Sequence, residues 1–292
     1  MRAYFEEFFK EFDYSAKDSA CLLDAFDKIC ACDDARIPFE RAFAGYVTDQ
    51  GCDYGAMMRE TQQAGKLVGV HNFTTDLLLF IMLSKHLRAL YEHHGIDLAI
   101  WHDSMLDLKY KLDECRVVYD ICGSFVGGWF PGFFNLTRFA LGRLQFELID
   151  VPIDFEGNGI KVTKGQKAIN MHIPRSGEPL SPALYEDSFA RAKEFYKGTF
   201  PADQPAPFVC HSWLLYPDTA KFVPSHLNTY KFLSEFTIME SAHNNGEDLW
   251  RLFDTMEQHP DRLPTDTSLR RAFVAHLKNG GRVGWGMGIL FR

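Results

Sequence analysis

Apolar positions recur at helical spacing through the first 126 residues. Tyr4, Phe5, Phe8, Phe9 and Phe12 form one such stripe. Cys21, Leu22, Ala25, Phe26 and Ile29 form the next, behind the cap candidates Ser15 and Asp18. Asp33-Asp34 opens a helix through Phe39, Ala42 and Phe43 to about Thr48, and residues 55–64 form a shorter one. Thr74-Thr75-Asp76 is expected to cap the strongest helix, Leu77 to Tyr91, which stops at His93-His94-Gly95. Asp97 starts another long helix through Trp101, Met105, Leu108, Leu112 and Val118. From Gly123 to Phe134 glycine and proline break the period while aromatics persist, which marks a packed hinge. The expected division is a helical domain over residues 1–125 and a second domain over residues 126–292.

Beyond the hinge the period changes to two. Leu144, Phe146 and Leu148 alternate with Arg143, Gln145 and Glu147, as in a half-buried strand. Turn residues at 154–159 and 163–166 then give two reversals, so an antiparallel meander with a charged face is expected. Its last strand, 168–173, runs into a polar loop that opens a helix over 181–197, with Pro182 in the first turn. Residues 206–215 read as a buried strand and 236–242 as another. Helices are expected over 227–235, capped by Ser225, over 247–254, and from a Thr267-Ser268 cap to about Leu277. The closing strand, 282–291, places Gly284, Gly286 and Gly288 on one face, where bare backbone admits a ligand or a neighbouring element. The fold class is therefore α+β, an all-helical domain followed by a mixed, mostly antiparallel sheet with flanking helices.

A formal charge of -8 argues against nucleic acid and anionic membrane as partners. The longest apolar run, Leu77 to Leu83, is too short to span a bilayer. The acidic start, Met1 to Glu7, lacks the pattern of a signal peptide. Seven cysteines, odd in number and without a C-x-x-C pair, indicate a reduced, cytoplasmic protein whose cysteines fill the core.

The order of the C-terminal elements resembles the core of the GNAT superfamily of N-acyltransferases. More specifically, Leu141-Gly-Arg-Leu-Gln-Phe-Glu147, Met171-His-Ile-Pro174, Cys210-His-Ser-Trp-Leu-Leu215 and Thr267-Ser-Leu-Arg-Arg271 resemble a family of bacterial two-domain proteins. In that family a helical acyltransferase-associated domain precedes a GNAT-like one. The resemblance implies direct acyl transfer from acetyl-CoA or another acyl-CoA to a small-molecule amine or peptide acceptor, with no metal. The coenzyme would enter a splay between 169–173, which includes Ile173, and 208–214. Its pyrophosphate would meet N–H groups at the start of the next helix. The superfamily's Q/R-x-x-G-x-G/A loop is replaced here by residues 174–180, where Arg175, Ser176 and Gly177 are the candidate contacts. Asn228 and Tyr230 stand where the superfamily carries an Asn and a Tyr, the latter protonating the leaving thiolate. Loss of the usual loop leaves a non-catalytic binding or regulatory scaffold as the alternative.

The chemistry needs a base for the amine, donors for the oxyanion and an acid for the thiolate. Glu147 is the candidate base, or else a strand-face partner of Arg143; Arg143 and Gln145 are candidate acceptor contacts. His172 either relays a proton or caps the strand end. Cys210 and Ser212 share one strand face, with His211 and Trp213 on the other. Cys210 with His172 of the adjacent strand would make a Cys/His acyl-enzyme hydrolase, against a buried, inert cysteine. Trp129, with Phe130, Phe133 and Phe134, either lines a groove for an acyl chain or packs in the core; Trp213 is a second aromatic substrate candidate. His71, His93 and His94 lack the spacing of metal ligands.

Overall fold

The computed structural model describes residues 1–201 and 203–292. It divides into two compact units, Met1–Phe139 and Ala140–Arg292. The first holds α1 (Arg2–Glu11), α2 (Ala16–Cys30), α3 (Asp33–Thr48), α4 (Tyr54–Leu67), α5 (Asn72–His93), α6 (Leu98–Tyr119) and the short α7 (Pro131–Phe134). Every side chain from Thr74 to Ser84 is buried, because α5 is the axis on which α1, α2, α3, α4 and α6 all pack. This helix begins earlier than expected. His71 is its cap, the imidazole accepting from the Phe73 N–H at 3.1 Å. Thr74 and Thr75 lie inside the helix and give their hydroxyl hydrogens to the carbonyls of Cys122 and Asn72. The hinge residues pack tightly in this unit. Ser124 N–H donates to the Phe73 carbonyl at 2.8 Å, and a Cβ on Gly123 would lie 2.3 Å from Phe73 backbone.

Asp76 is one of the buried carboxylates of this unit. Burial pushes its carboxyl up to about 6, although Gln62 Nε2 donates to both oxygens at 2.8 and 3.0 Å. The folded value lies above the unfolded one of about 3.9, so the contribution to stability is full below the unfolded value and is lost as pH rises through about 6. Asp76→Asn is accordingly expected to raise the stability at pH 7.5 by at most on the order of 2 kcal/mol, seen as a higher melting temperature, and to leave it unchanged near pH 4. Thermal melts of both proteins across that range check this; a lower melting point for the variant at pH 7.5 would show that the ionised form stabilises the fold.

The second unit is built on a six-stranded sheet in the order β1-β2-β5-β6-β8-β7. Its strands are β1 (Arg138–Leu141), in which the chain leaves the helical unit, β2 (Leu144–Asp150), β5 (Lys167–His172), β6 (Pro207–Ser212), β7 (Thr237–His243) and β8 (Gly284–Phe291). β5 and β6 run parallel, while β2–β5, β6–β8 and β7–β8 are antiparallel. The expected meander is corrected in one respect. β3 (Phe155–Gly157) and β4 (Ile160–Val162) form a separate two-stranded hairpin, and β2 pairs directly with β5. The remaining helices are α8 (Pro182–Phe195), α9 (Thr219–Phe222), α10 (Asn228–Leu233), α11 (Trp250–Phe253) and α12 (Ser268–Lys278). Thr267 caps α12 by accepting from Arg270 N–H, whereas α10 starts after Leu227 without a side-chain cap from Ser225.

Period-two alternation sorts the sheet into two faces. Phe146 and Phe208 turn toward α8, with their rings 6.5 and 5.0 Å from that of Phe189. On the opposite face Ala168, Val209, Met287 and Ile289 are sealed by Phe155, Ile160 and Val162 of the hairpin. The three glycines of β8 are filled by neighbouring chain rather than left for a ligand. A Cβ would come within 2.0 Å of the Ala242 carbonyl oxygen at Gly284 and 2.1 Å of that of Leu215 at Gly286; at Gly288 it would meet Phe236 Cβ at 2.8 Å. Among the described residues no helix is long and apolar enough to cross a membrane.

Candidate functional site

The parallel pairing of β5 with β6 covers Ile169↔Phe208, Asn170↔Val209 and Met171↔Cys210, and stops there. β6 nevertheless continues against β8 through His211↔Met287 and Ser212↔Gly286. The two parallel strands therefore part after Met171, and side chains just beyond that point flank an opening in the sheet.

On the β2–β5 side of this opening the register sets Gln145 opposite His172 and Glu147 opposite Asn170. All four share the face that the hairpin covers further down. His172 Nε2 lies 2.7 Å from Glu147 Oε1. Asn170 Nδ2 donates to the same oxygen at 3.0 Å and lies 3.1 Å from the imidazole nitrogen. The Glu147 and His172 side chains are 17% and 20% exposed, half-withdrawn from solvent, while Gln145 is buried. With Glu147 ionised it can only accept, and Nε2 is then the donor toward it, which leaves the lone pair of the ring on Nδ1. Glu147 thus pairs with His172 across the two strands.

Arg143 sits in the turn before β2, and its guanidinium folds under the loop that follows β5. It donates to the carbonyls of Pro174 at 2.9 Å and Glu178 at 3.1 Å. Between these anchors lie Arg175, Ser176 and Gly177, the glycine at φ +80, a left-handed conformation that favours its residue type. Ser176 Oγ accepts from Glu178 N–H. Arg175 forms a two-pronged ion pair with Asp254, one arm at 3.0 Å, and Arg270 grips the same carboxylate from the other side. The loop then enters α8, whose cap residue Ser181 makes no side-chain bond to the first-turn N–H groups. Ile173 lies half-buried at the start of the loop.

Other candidates lie elsewhere. Cys210 pairs with Met171 and so projects to the face opposite His172, which rules out the Cys/His couple by geometry. Burial also pushes its thiol up to about 12, leaving it protonated and unreactive at neutral pH. Ser212 shares that face, and its hydroxyl accepts from Leu214 N–H to start the 3-10 turn 213–215. Trp213 and Tyr230 pack on an apolar cluster around Phe253 and Phe273; Asn228 is the first residue of α10. Trp129 belongs to the helical unit. Its Nε1 donates to Asp107 at 3.0 Å and its ring carries the Arg138 guanidinium 3.7 Å from the centroid. Phe130, Phe133 and Phe134 are buried core residues, the first and last with their rings tilted against that of Phe80 at 5.0 Å. Asn170 and Asp254 escaped sequence reasoning. The first carried a signal, a polar residue in phase with His172 on an otherwise apolar strand. Asp254, 79 residues from Arg175, carried none. Among the described residues no three His, Cys, Asp or Glu side chains gather as a metal site.

Comparison with known proteins gives consistent matches at both levels. Residues 3–136 match the model of the N-acyltransferase N-terminal domain, and residues 138–290 that of the GNAT-like C-terminal domain. A comparison with the sequences of curated proteins gives no match. Among solved structures, an acyltransferase mutant in complex with octanoyl-CoA superposes with a TM-score of 0.76 at 23% identity, over 98% of this chain and 87% of that one. An acyltransferase in complex with decanoyl-CoA and teicoplanin gives 0.75 at 23% identity, with the same coverage. One in complex with CoA and 10C-teicoplanin gives 0.74 at 22% identity, over 98% and 87%.

Proposed function

Because the chain belongs to the family in which an N-acyltransferase N-terminal domain precedes a GNAT-like C-terminal domain, we propose that it moves an acyl group from an acyl-CoA thioester directly to an amine. The observation that carries this reading is the parting of β5 from β6 beside the Glu147–Asn170–His172 cluster. An opening between parallel strands exposes backbone N–H and C=O groups that can bind a pantetheine arm and polarise a thioester carbonyl. His172 Nδ1 then accepts the amine proton, with Glu147 holding the ring and stabilising the imidazolium as it forms. Asn170 in turn fixes Glu147. The coenzyme phosphates lie over the loop 174–180 and the first turn of α8, where the Ala183 N–H and the helix dipole favour an anion. Arg143 supports this by setting the path of the loop.

The acyl donor is proposed to be longer than acetyl, on the strength of the octanoyl and decanoyl groups held by structures of the same fold. The acceptor is a small-molecule or peptide amine, and the chain works in the cytoplasm. The test is amine-dependent release of CoA from acetyl-, octanoyl- and decanoyl-CoA, with the amide identified by mass spectrometry. Release that never depends on an added amine would count against transfer. The scaffold alternative draws on one observation, the engagement of Arg175 by Asp254, and predicts no turnover with any donor.

A further inference from the structure

We propose that His211 is a second proton acceptor of this site, taking the first proton of a protonated acceptor amine and passing it to solvent. The inference rests on the acyl-transfer reading and adds the step that reading leaves open. An amine enters as R–NH3⁺, attacks as R–NH2 and ends as an amide with one N–H. The C–N bond forms, the C–S bond breaks, and two protons leave nitrogen. One is returned to the thiolate, and the other must reach water. His172 is bound to Glu147, and its side chain is only 20% exposed, so it serves one of these transfers. The second needs a group in the same opening with access to solvent.

His211 has that position. It is the first residue of β6 beyond the last pair with β5, as His172 is the first of β5 beyond it. Asn170 pairs with Val209, and two residues further along each strand returns to the same face, so His172 and His211 flank the opening from either side. Phe208, Val209 and Cys210 are all buried, whereas His211 is exposed. Its backbone is held by the pair with Met287, and its ring lies against Trp285, tilted by 35° with centroids 4.5 Å apart. The ring is thus placed while its edge meets water. By register, the other charged or titratable side chains on this face are Glu147 and His172 on one side and Glu240, opposite Met287, on the other. The sequence of events is deprotonation of the ammonium by His211, attack on the thioester, and loss of the second N–H proton to His172.

The test compares two nucleophiles with decanoyl-CoA as donor and the full chain as enzyme. n-Butylamine is protonated at neutral pH, like a lysine side chain with a value of about 10.4. Hydroxylamine is already a free base there and skips the first step. His211→Gln is expected to slow transfer to butylamine about 10²-fold and transfer to hydroxylamine by no more than about threefold. The ratio between the two amines does not depend on how much of the variant is folded. Equal losses with both amines, or no loss with butylamine, would overturn the role. If the native protein acylates neither amine, the acyl-transfer reading itself fails and this one with it.

Discussion

His172→Gln is expected to lower kcat/KM for amine acylation by about 10²–10³-fold, while the dissociation constant for acyl-CoA stays within about threefold of its original value. The reason is the geometry of the pair. His172 Nε2 is committed to Glu147 Oε1 at 2.7 Å, so the proton-accepting edge of the ring is Nδ1, on a ring that cannot rotate without breaking that bond. Glutamine approximates the volume and can keep a hydrogen bond to Glu147, but it has no basic nitrogen. A loss of 10²–10³ corresponds to about 3–4 kcal/mol of barrier, the scale of one removed general base. The effect should fall on kcat, since nothing in the proposed path of the coenzyme phosphates touches this residue. Steady-state rates at saturating donor check it. A variant with unchanged kcat would move the base away from the β2–β5 face.

Gly286→Ala is expected to be among the most damaging single methyls in the sheet unit, costing on the order of 3 kcal/mol or preventing folding of that unit. The added Cβ would stand 2.1 Å from the Leu215 carbonyl oxygen and 2.6 Å from its carbon, and both are backbone. A rotamer change cannot relieve such a contact. Either the turn 213–215 lifts away or β8 shifts, and β8 is the strand that holds β6 along six pairs. Gly198→Ala supplies the comparison, because a Cβ there meets nothing within 4 Å. Urea unfolding of the two variants should show a large shift for Gly286→Ala and almost none for Gly198→Ala. Equal midpoints would contradict the packing described for β8.

These effects also mark where sequence reasoning reached and where it stopped. Alternation along 143–148 sets Arg143, Gln145 and Glu147 on one face and Leu144, Phe146 and Leu148 on the other, but burial does not follow it, since Gln145 is 1% exposed and Leu148 37%. It sets Glu147 on a polar strand face, His172 closes a neighbouring strand, and the structure brings the two within hydrogen-bond distance. It could not say that Glu147 stands opposite Asn170, since register depends on where β3 and β4 leave the sheet, and their hairpin reads locally like two more meander strands. Arg143 looked like a third member of the row. The left-handed Gly142 turns the chain there, and the Arg143 side chain donates to the carbonyls of Pro174 and Glu178. Apolar periodicity likewise found α5 but misplaced its start, because a histidine cap has weaker sequence preference than the Thr-Thr-Asp run behind it. The pairing of Arg175 with Asp254 is a tertiary contact with no local signature.

The central claim is that acyl-CoA binds at the parting of β5 and β6 with its phosphates on the loop that follows. Calorimetric titration of the purified protein with decanoyl-CoA, set beside decanoyl-pantetheine, tests it most directly. The account predicts binding of the full coenzyme in the micromolar range typical of enzyme substrates, and binding at least about tenfold weaker once the nucleotide and its phosphates are removed. Absence of binding by decanoyl-CoA, or equal binding of the two ligands, would contradict it.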